Sequence, residues 1–184
     1  MPADNRWVTQ KLHEMWMDPS AFEQLYAEMR QPMYVVAYRI VMSREDAEDA
    51  VQEAFVSLLR CRETESVRNG RAYLFQTVRN AALGIRKLRN KETVVGDTGD
   101  LPRKKTARSG GSDVGLAMAE LTDEERQIVT LRVEAELGFT EIARIMGIST
   151  ATAFRRYRSA IRSLRQYFGR SSDGKEEEYE QDTK

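Results

Sequence analysis

Arginine side chains recur along one side of a predicted helix near the end of the chain. The residues concerned are Arg155, Arg158, Arg162 and Arg165. Their spacing of three or four residues places them on one helical face, and apolar residues from Ala153 to Phe168 recur at the same spacing on another. Guanidinium groups donate hydrogen bonds to phosphates and to guanine edges. The pattern therefore indicates binding to nucleic acid.

A second, shorter helix is predicted just before this one. Thr140 is expected to cap it, Gly147 to end it, and Ser149 to cap the helix that follows. Seven Arg and one acidic residue lie between Phe139 and Arg170. Two short helices joined by a glycine turn, the second one basic, are typical of a helix-turn-helix that enters the major groove of DNA. The alternative is an ordinary helical hairpin with a solvated basic face.

Composition excludes several classes of function. The 184 residues include one cysteine, Cys61, and one histidine, His13, so neither an internal disulfide nor a thiolate-rich zinc site is available. No paired nucleophile and base or phosphate-binding loop is evident, so we predict no enzymatic activity, no metal and no cofactor. The chain has no apolar run of membrane-spanning length and no signal peptide at its start, so it is expected to be cytoplasmic, without membrane insertion.

Charge is segregated along the chain, although the formal net charge is zero. Residues 61–92 carry eight Lys or Arg and three acids, and the stretch around the predicted helix-turn-helix is also basic. Two separate surfaces for polyanions are therefore predicted. Residues 171–184 carry six acids and two Lys. This acidic tail is expected to be disordered, either simply solvated or folded back over the arginines of the preceding helix.

The apolar spacing predicts an all-α protein with two small helical domains joined by a flexible linker. The linker is assigned to residues 93–113, which contain four Gly and one Pro. The remaining boundaries are an N-terminal extension over 1–18, a first domain over 19–92, a second domain over 114–170, and the tail. Pro32 is expected to bend or divide the first long helix.

Three carboxylates share one face of the helix that begins after Ser43. They are Asp46, Asp49 and Glu53, with Gln52 adjacent. Such a face is either simply exposed to solvent or a docking surface for a basic partner.

Aromatic, amide and cationic side chains are interleaved on the next helix, after Gly70. They are Tyr73, Gln76, Arg79, Asn80, Arg86, Lys87 and Arg89. This mixture suits single-stranded nucleic acid, since exposed bases stack on rings while amides contact base edges and cations bind phosphates. Tyr73 and Phe75 could instead belong to the core.

The motifs in this order resemble a bacterial sigma factor of the extracytoplasmic-function group in the sigma-70 family. They occupy residues 46–55, 73–80 and 121–158, and the resemblance extends from about Phe22 to Phe168. It implies sigma domain two followed by sigma domain four, with core RNA polymerase, promoter DNA and an anti-sigma factor as partners. The implied function is promoter recognition, DNA melting and transcription initiation at a specific regulon.

The resemblance also implies a role for particular residues. Contacts with core polymerase are expected from Asp46, Asp49, Gln52, Glu53 and Phe55. Contacts with the minus-ten element are expected from Tyr73, Gln76, Arg79, Asn80, Arg86 and Lys87. Contacts with the minus-thirty-five element are expected from Ser149, Thr150, Thr152, Arg155, Arg156 and Arg158.

Three residues depart from the family's usual pattern. Gly84 stands where many relatives have an acid, and Ala153 and Phe154 replace the more usual valine and lysine, so promoter preference cannot be copied from relatives. Two rival functions fit the sequence less well. A stand-alone helix-turn-helix repressor would need a dimer interface, for which no heptad is present, and a decoy that only binds an anti-sigma protein would not need two basic faces.

Overall fold

Every element of the computed structural model is an α-helix within residues 4–60, 67–96 and 113–181, which are the residues that the structure describes. Side chains are described as far as residue 91 in the second range and residue 170 in the third. The helices are α1 Asn5–Glu14, α2 Pro19–Val41, α3 Arg44–Arg60, α4 Gly70–Gly96, α5 Asp113–Ala119, α6 Asp123–Val133, α7 Phe139–Met146 and α8 Thr150–Gln181. The predicted all-α class with two helical domains is confirmed.

The long helices α2, α3 and α4 pack against one another and form the core of the N-terminal domain. Pro32 does not divide α2, which continues to Val41. Met29 and Met33 are buried on either side of the proline, so packing holds both halves of the helix in place. α3 starts as predicted, with the Asp46 backbone N–H donating to Ser43 Oγ at 3.3 Å.

α1 closes the N-terminal end of α4. The backbone N–H of Gly70 donates to Thr9 Oγ1 at 2.9 Å, and that of Arg71 donates to Asn5 Oδ1 at 3.2 Å. These are two of the N–H groups that the first turn of a helix cannot satisfy internally. Residues 1–18 were expected to be an extension outside the domain, but α1 packs on both α2 and α4 and caps the latter.

Replacing Gly70 by alanine should destabilise the protein. An added Cβ would lie 2.8 Å from the backbone nitrogen of Thr9 and 2.9 Å from its Cα, and α1 would have to move because backbone atoms cannot rotate away. We expect a loss of about 1–3 kcal/mol in the free energy of unfolding, measured by chemical denaturation.

Gly84→Ala is the matched control for this substitution. Nothing lies within 4 Å of a Cβ built there, and the residue is exposed inside α4, so alanine should stabilise the protein by up to about 1 kcal/mol. Destabilisation of the same size at both positions would contradict the close approach of α1 to α4.

The C-terminal domain comprises α5 to α8. The predicted capping box of α6 is confirmed, since Thr122 Oγ1 accepts from the Glu125 N–H at 3.3 Å and the Glu125 carboxylate accepts from the Thr122 N–H at 3.2 Å. The cap of α7 is Gly138 and not Thr140. Thr140 lies inside α7 because the Glu141 carboxylate accepts the Gly138 N–H at 2.6 Å and so starts the helix earlier.

The turn between α7 and α8 forms as the sequence predicts. Gly147 has φ 68°, in the left-handed region, and it ends α7 with its N–H bonded to Arg144 O at 3.3 Å. Ser149 then caps α8, since its Oγ accepts from the Thr152 N–H at 3.1 Å. α7 and α8 therefore form the expected helix-turn-helix.

Two helices extend beyond their predicted limits. α4 continues to Gly96, past the expected start of the linker at residue 93, and most of the linker lies outside the described residues. α8 continues to Gln181, through most of the tail that was expected to be disordered. Four of residues 171–181 are Glu, which favours helix. The tail's side chains lie outside the described residues, so its folding back over the arginines stays a prediction.

The two domains are in contact. α2 packs on α6 and α4 packs on α7, and most of the buried apolar residues form one cluster that spans both domains and includes Ile128, Leu131, Ile142 and Ile145. A smaller cluster within the C-terminal domain contains Met118, Leu121, Val129 and Ala160. Within the described ranges, no helix is both long and apolar enough to cross a membrane.

Candidate nucleic-acid and protein-binding faces

The first turns of α8 present a polar and cationic face to solvent. Ser149, Thr150, Arg155 and Arg158 are exposed, whereas Ala153 and Ala160 are fully buried against the rest of the domain. The oxygens of Ser149 and Thr152 lie 2.8 Å apart at the start of the helix. Hydroxyl and guanidinium donors are thus grouped where a recognition helix enters the groove.

Arg156 does not belong to this exposed face. Its guanidinium is paired with the Glu124 carboxylate of α6 at 2.8 Å. Burial opposes ionisation of the neighbouring Glu125, but hydrogen bonds from Ser159 and Thr122 and the charge of Arg156 hold the pKa of that carboxyl below its ordinary value. Six residues are expected at the minus-thirty-five element. One of them, Arg156, instead joins α8 to α6.

Phe154 is an apolar residue on this otherwise polar surface. Its ring meets that of Phe139 edge-on at 5.3 Å, and Phe139 in turn contacts the Tyr157 ring at 5.3 Å. The Arg158 guanidinium lies 5.9 Å from the centre of the Phe154 ring. From the sequence, Phe154 stands out only as a departure from the family pattern, and no DNA contact is predicted for it.

α4 divides its six predicted DNA-binding residues between two faces. Gln76, Asn80 and Lys87 are exposed, and their spacing of four and seven residues places them on one side of the helix. The half-buried Tyr73 lies on the same side. This face combines an aromatic ring, two amides and an ammonium group. Groups of these kinds suit contact with an unpaired strand.

Arg79 and Arg86 lie on the other face of α4 and contact the C-terminal domain. Arg79 Nε donates to Gln127 Oε1 at 2.9 Å, and its Nη1 donates to the Ile145 carbonyl at 3.3 Å. Arg86 is paired with Asp123 at 2.9 Å. Burial lowers the pKa of Arg79, and the nearby positive charge of Arg86 lowers it further. Both guanidiniums are therefore engaged between the domains.

Two further residues, one in α4 and one in its preceding loop, join the domains, and the sequence predicts a role for neither. Arg71 is buried, and its Nε and Nη2 donate to the Ala135 carbonyl at 3.2 and 3.0 Å. Asn69 is hydrogen-bonded through its side-chain amide to the Glu141 carboxylate. No local pattern could have identified them, because their partners lie more than 60 residues away along the chain.

α3 presents its carboxylates largely as predicted. Asp49, Gln52 and Glu53 are exposed on one side of the helix. Asp46 is less accessible because it forms an ion pair with Arg89 of α4. The free part of the face therefore begins at Asp49.

Phe55 does not lie on the exposed face of α3. Its ring is 3% exposed and meets the rings of Tyr26 and Phe22 edge-on, at 4.9 and 5.9 Å. The prediction that Phe55 contacts a partner directly is therefore corrected. Its aromatic contacts fix α3 on α2, and through α3 they hold the carboxylate face in position.

The comparisons with known proteins match both domains. The model for Sigma-70 region 2 matches residues 25–92, and that for Sigma-70, region 4, matches residues 117–166. The ECF RNA polymerase sigma factor SigL of Mycobacterium tuberculosis strain ATCC 25618 / H37Rv is 27% identical over 150 residues, which cover 77% of this chain and 85% of that protein.

Two solved structures share the fold. The sigma factor RpoE, in complex with the anti-sigma factor NepR from Bartonella quintana, has a TM-score of 0.66 at 19% identity, with 80% of this chain and 96% of that chain covered. CnrH, in complex with the cytosolic domain of CnrY, has a TM-score of 0.61 at 19% identity, with 90% and 97% covered.

Proposed function

Because the chain belongs to the extracytoplasmic-function group of the sigma-70 family, which directs RNA polymerase to promoters, we propose that it divides this work among three helices. α3 docks on core polymerase, α4 captures the unpaired minus-ten strand, and the first turns of α8 contact the minus-thirty-five duplex. The observation that carries the proposal is that each of these helices keeps a polar face exposed while its apolar face is buried in a domain core.

Docking on polymerase is assigned to Asp49, Gln52 and Glu53. Their exposure and negative charge fit a basic partner surface, and the helix is held rigidly by the contacts of Phe55 beneath it. Asp46 contributes by pairing with Arg89, which fixes α3 relative to α4.

Capture of the minus-ten strand is assigned first to Gln76, Asn80 and Lys87, with Tyr73 offering a ring for stacking. Amide groups can donate to and accept from base edges, and the ammonium group can bind phosphate. Arg79 and Arg86 reach the same strand only after the C-terminal domain leaves α4, since both now donate to it. We therefore assign this closed arrangement, in which α4 contacts the C-terminal domain, to protein that is not engaged with melted DNA.

Contact with the minus-thirty-five element is assigned to Ser149, Thr150, Thr152, Arg155 and Arg158. The hydroxyl groups and backbone N–H groups at the start of α8 suit phosphate, while the two arginines can extend to base edges or to phosphates along the groove. Arg156 keeps α8 fixed to α6 through Glu124.

A protein partner also follows from the family. One of the two solved structures above is, by its own description, a sigma factor in complex with an anti-sigma factor. We propose that an anti-sigma factor binds this chain too, and that it does so in the cytoplasm, where RNA polymerase is found. The family acts by binding, and the chain is not an enzyme.

The test is reconstitution of the full-length protein with bacterial core RNA polymerase, followed by selection of bound promoters from a randomised pool. Two enriched elements, one upstream and one at the melted region, are expected. No binding to core polymerase, or binding without any enriched sequence, would contradict the proposal.

Asn80→Ala and Lys87→Ala should have different effects on the selected promoter. Loss of the Asn80 amide should reduce open-complex formation about three- to tenfold at particular minus-ten sequences only. Loss of the Lys87 charge should weaken binding evenly across sequences and reduce the slope of log affinity against log salt by about 1. Permanganate footprinting and salt titration measure the two effects, and both variants should keep the parental melting temperature because both residues are exposed.

A further inference from the structure

Phe154 is the one aromatic residue that is exposed within the first two turns of α8. Its relative exposure is 47%, whereas Tyr157, one turn further on, is half-buried and Ala153 is fully buried. Its exposed neighbours one turn away on the helix surface are Thr150, Ala151 and Arg158, and the exposed Arg155 follows it directly in the sequence. The ring therefore lies on the same side of α8 as Arg158, at the edge that contacts Phe139 of α7.

The ring is held in place before any ligand arrives. It meets Phe139 of α7 at 5.3 Å with an interplanar angle of 85°, and the Arg158 guanidinium lies 5.9 Å from its centre. Phe139 is itself held by Tyr157 on one side and by the Arg132 guanidinium, 5.4 Å from its ring, on another. Because its rotamer is already restricted, Phe154 loses little conformational entropy on binding.

A phenyl ring can distinguish only one feature of the major groove. It has no hydrogen-bond donor or acceptor for a base edge, but it can cover an apolar group, and thymine alone among the four bases presents a methyl group in that groove. The arginines around it can bind phosphates and guanine, so Phe154 adds a selectivity that they cannot supply.

We infer that Phe154 contacts the 5-methyl group of a thymine in the upstream promoter element and makes that position selective for thymine. The inference rests on the proposed function, since it requires the start of α8 to enter the major groove. It adds a specificity-determining residue that the arginine and hydroxyl pattern does not include.

The experiment uses holoenzyme reconstituted from the full-length protein and the promoter selected above. Each thymine of the upstream element is replaced in turn by deoxyuridine, which removes only the methyl group and leaves base pairing unchanged. One replacement should weaken binding about fourfold, the factor that corresponds to burial of one methyl group, and the others should have no effect.

Substitution of the ring links that effect to Phe154. Phe154→Ala should weaken binding to the thymine promoter by a similar factor and should no longer distinguish thymine from deoxyuridine at that position. Phe154→Leu, which keeps an apolar side chain, should retain part of the difference. Phe168→Ala is the matched control, because Phe168 is another exposed phenylalanine of α8, 39% exposed and almost four turns further on, and it should leave the difference intact.

Two results would overturn the inference. One is a selected upstream element in which no thymine responds to deoxyuridine. The other is a Phe154→Ala variant, with parental melting temperature, that keeps the full difference, which would limit Phe154 to packing against Phe139. Failure of the holoenzyme to bind any promoter would instead refute the proposed function, so the two failures are distinguishable.

Discussion

Linking α4 to α6 covalently should abolish open-complex formation. Arg86 and Asp123 form an exposed ion pair between the domains, so cysteines at these two positions are accessible to a bismaleimide reagent. With the domains held together, Arg79 remains bonded to Gln127 and the unpaired strand cannot lie along that face of α4. We expect a loss of promoter melting on the order of a hundredfold or more, because the competent arrangement cannot be populated.

Three controls separate the link from the substitutions. Cys61→Ser removes the natural thiol, treatment with a monofunctional maleimide modifies the same cysteines without joining them, and a reagent with a reducible spacer allows the link to be cut. Melting should return after reduction. Binding to core polymerase should persist throughout, since Asp49, Gln52 and Glu53 stay exposed in the linked protein. Promoter melting by the linked protein would show that α4 can act without leaving the C-terminal domain.

Reversing the charge of the α3 face should weaken binding to core polymerase at least about tenfold, because like charges brought together at an interface cost several kcal/mol. The variant is Asp49→Lys with Glu53→Lys. Both side chains are exposed, so the circular dichroism spectrum and melting temperature should stay close to the parental values. Fluorescence anisotropy of labelled protein titrated with core polymerase measures the affinity.

Glu120→Lys with Glu134→Lys is the matched control for the charge reversal. It makes the same change in net charge at two exposed positions of the C-terminal domain. If both double variants lose affinity equally, the effect comes from overall charge and not from α3. Unchanged affinity in the α3 variant, with a native fold, would exclude this face as the docking surface.

Contacts between the two domains within this chain stabilise the closed arrangement. Arg71, buried against the Ala135 carbonyl, and the apolar contacts of α6 and α7 already favour closure within this chain. Opening exposes that buried surface and breaks these hydrogen bonds. If core polymerase binds the open arrangement, its binding free energy has to exceed this cost, whereas the proposed anti-sigma factor, bound to the closed arrangement, adds to an existing preference.

Local features of the fold were predictable from the sequence alone, because they depend on residues a few positions apart. The capping box of Thr122 and Glu125, the left-handed turn at Gly147 and the cap at Ser149 all form as expected. The apolar periodicity identified the helices, and the order of motifs identified the family. Where a local prediction was wrong, as with Thr140, a competing local contact by Glu141 explains the result.

The tertiary structure alone decided which polar residues are free to bind a partner. Helical spacing could group Arg79, Arg86 and Asn80 on one helix, but not show that the two arginines contact another domain while the asparagine faces solvent. The same holds for Arg156, paired with Glu124, and for Phe55, buried among aromatic rings. A side chain's partner depends on contacts between residues far apart along the chain, and periodicity within a single helix carries no information about them.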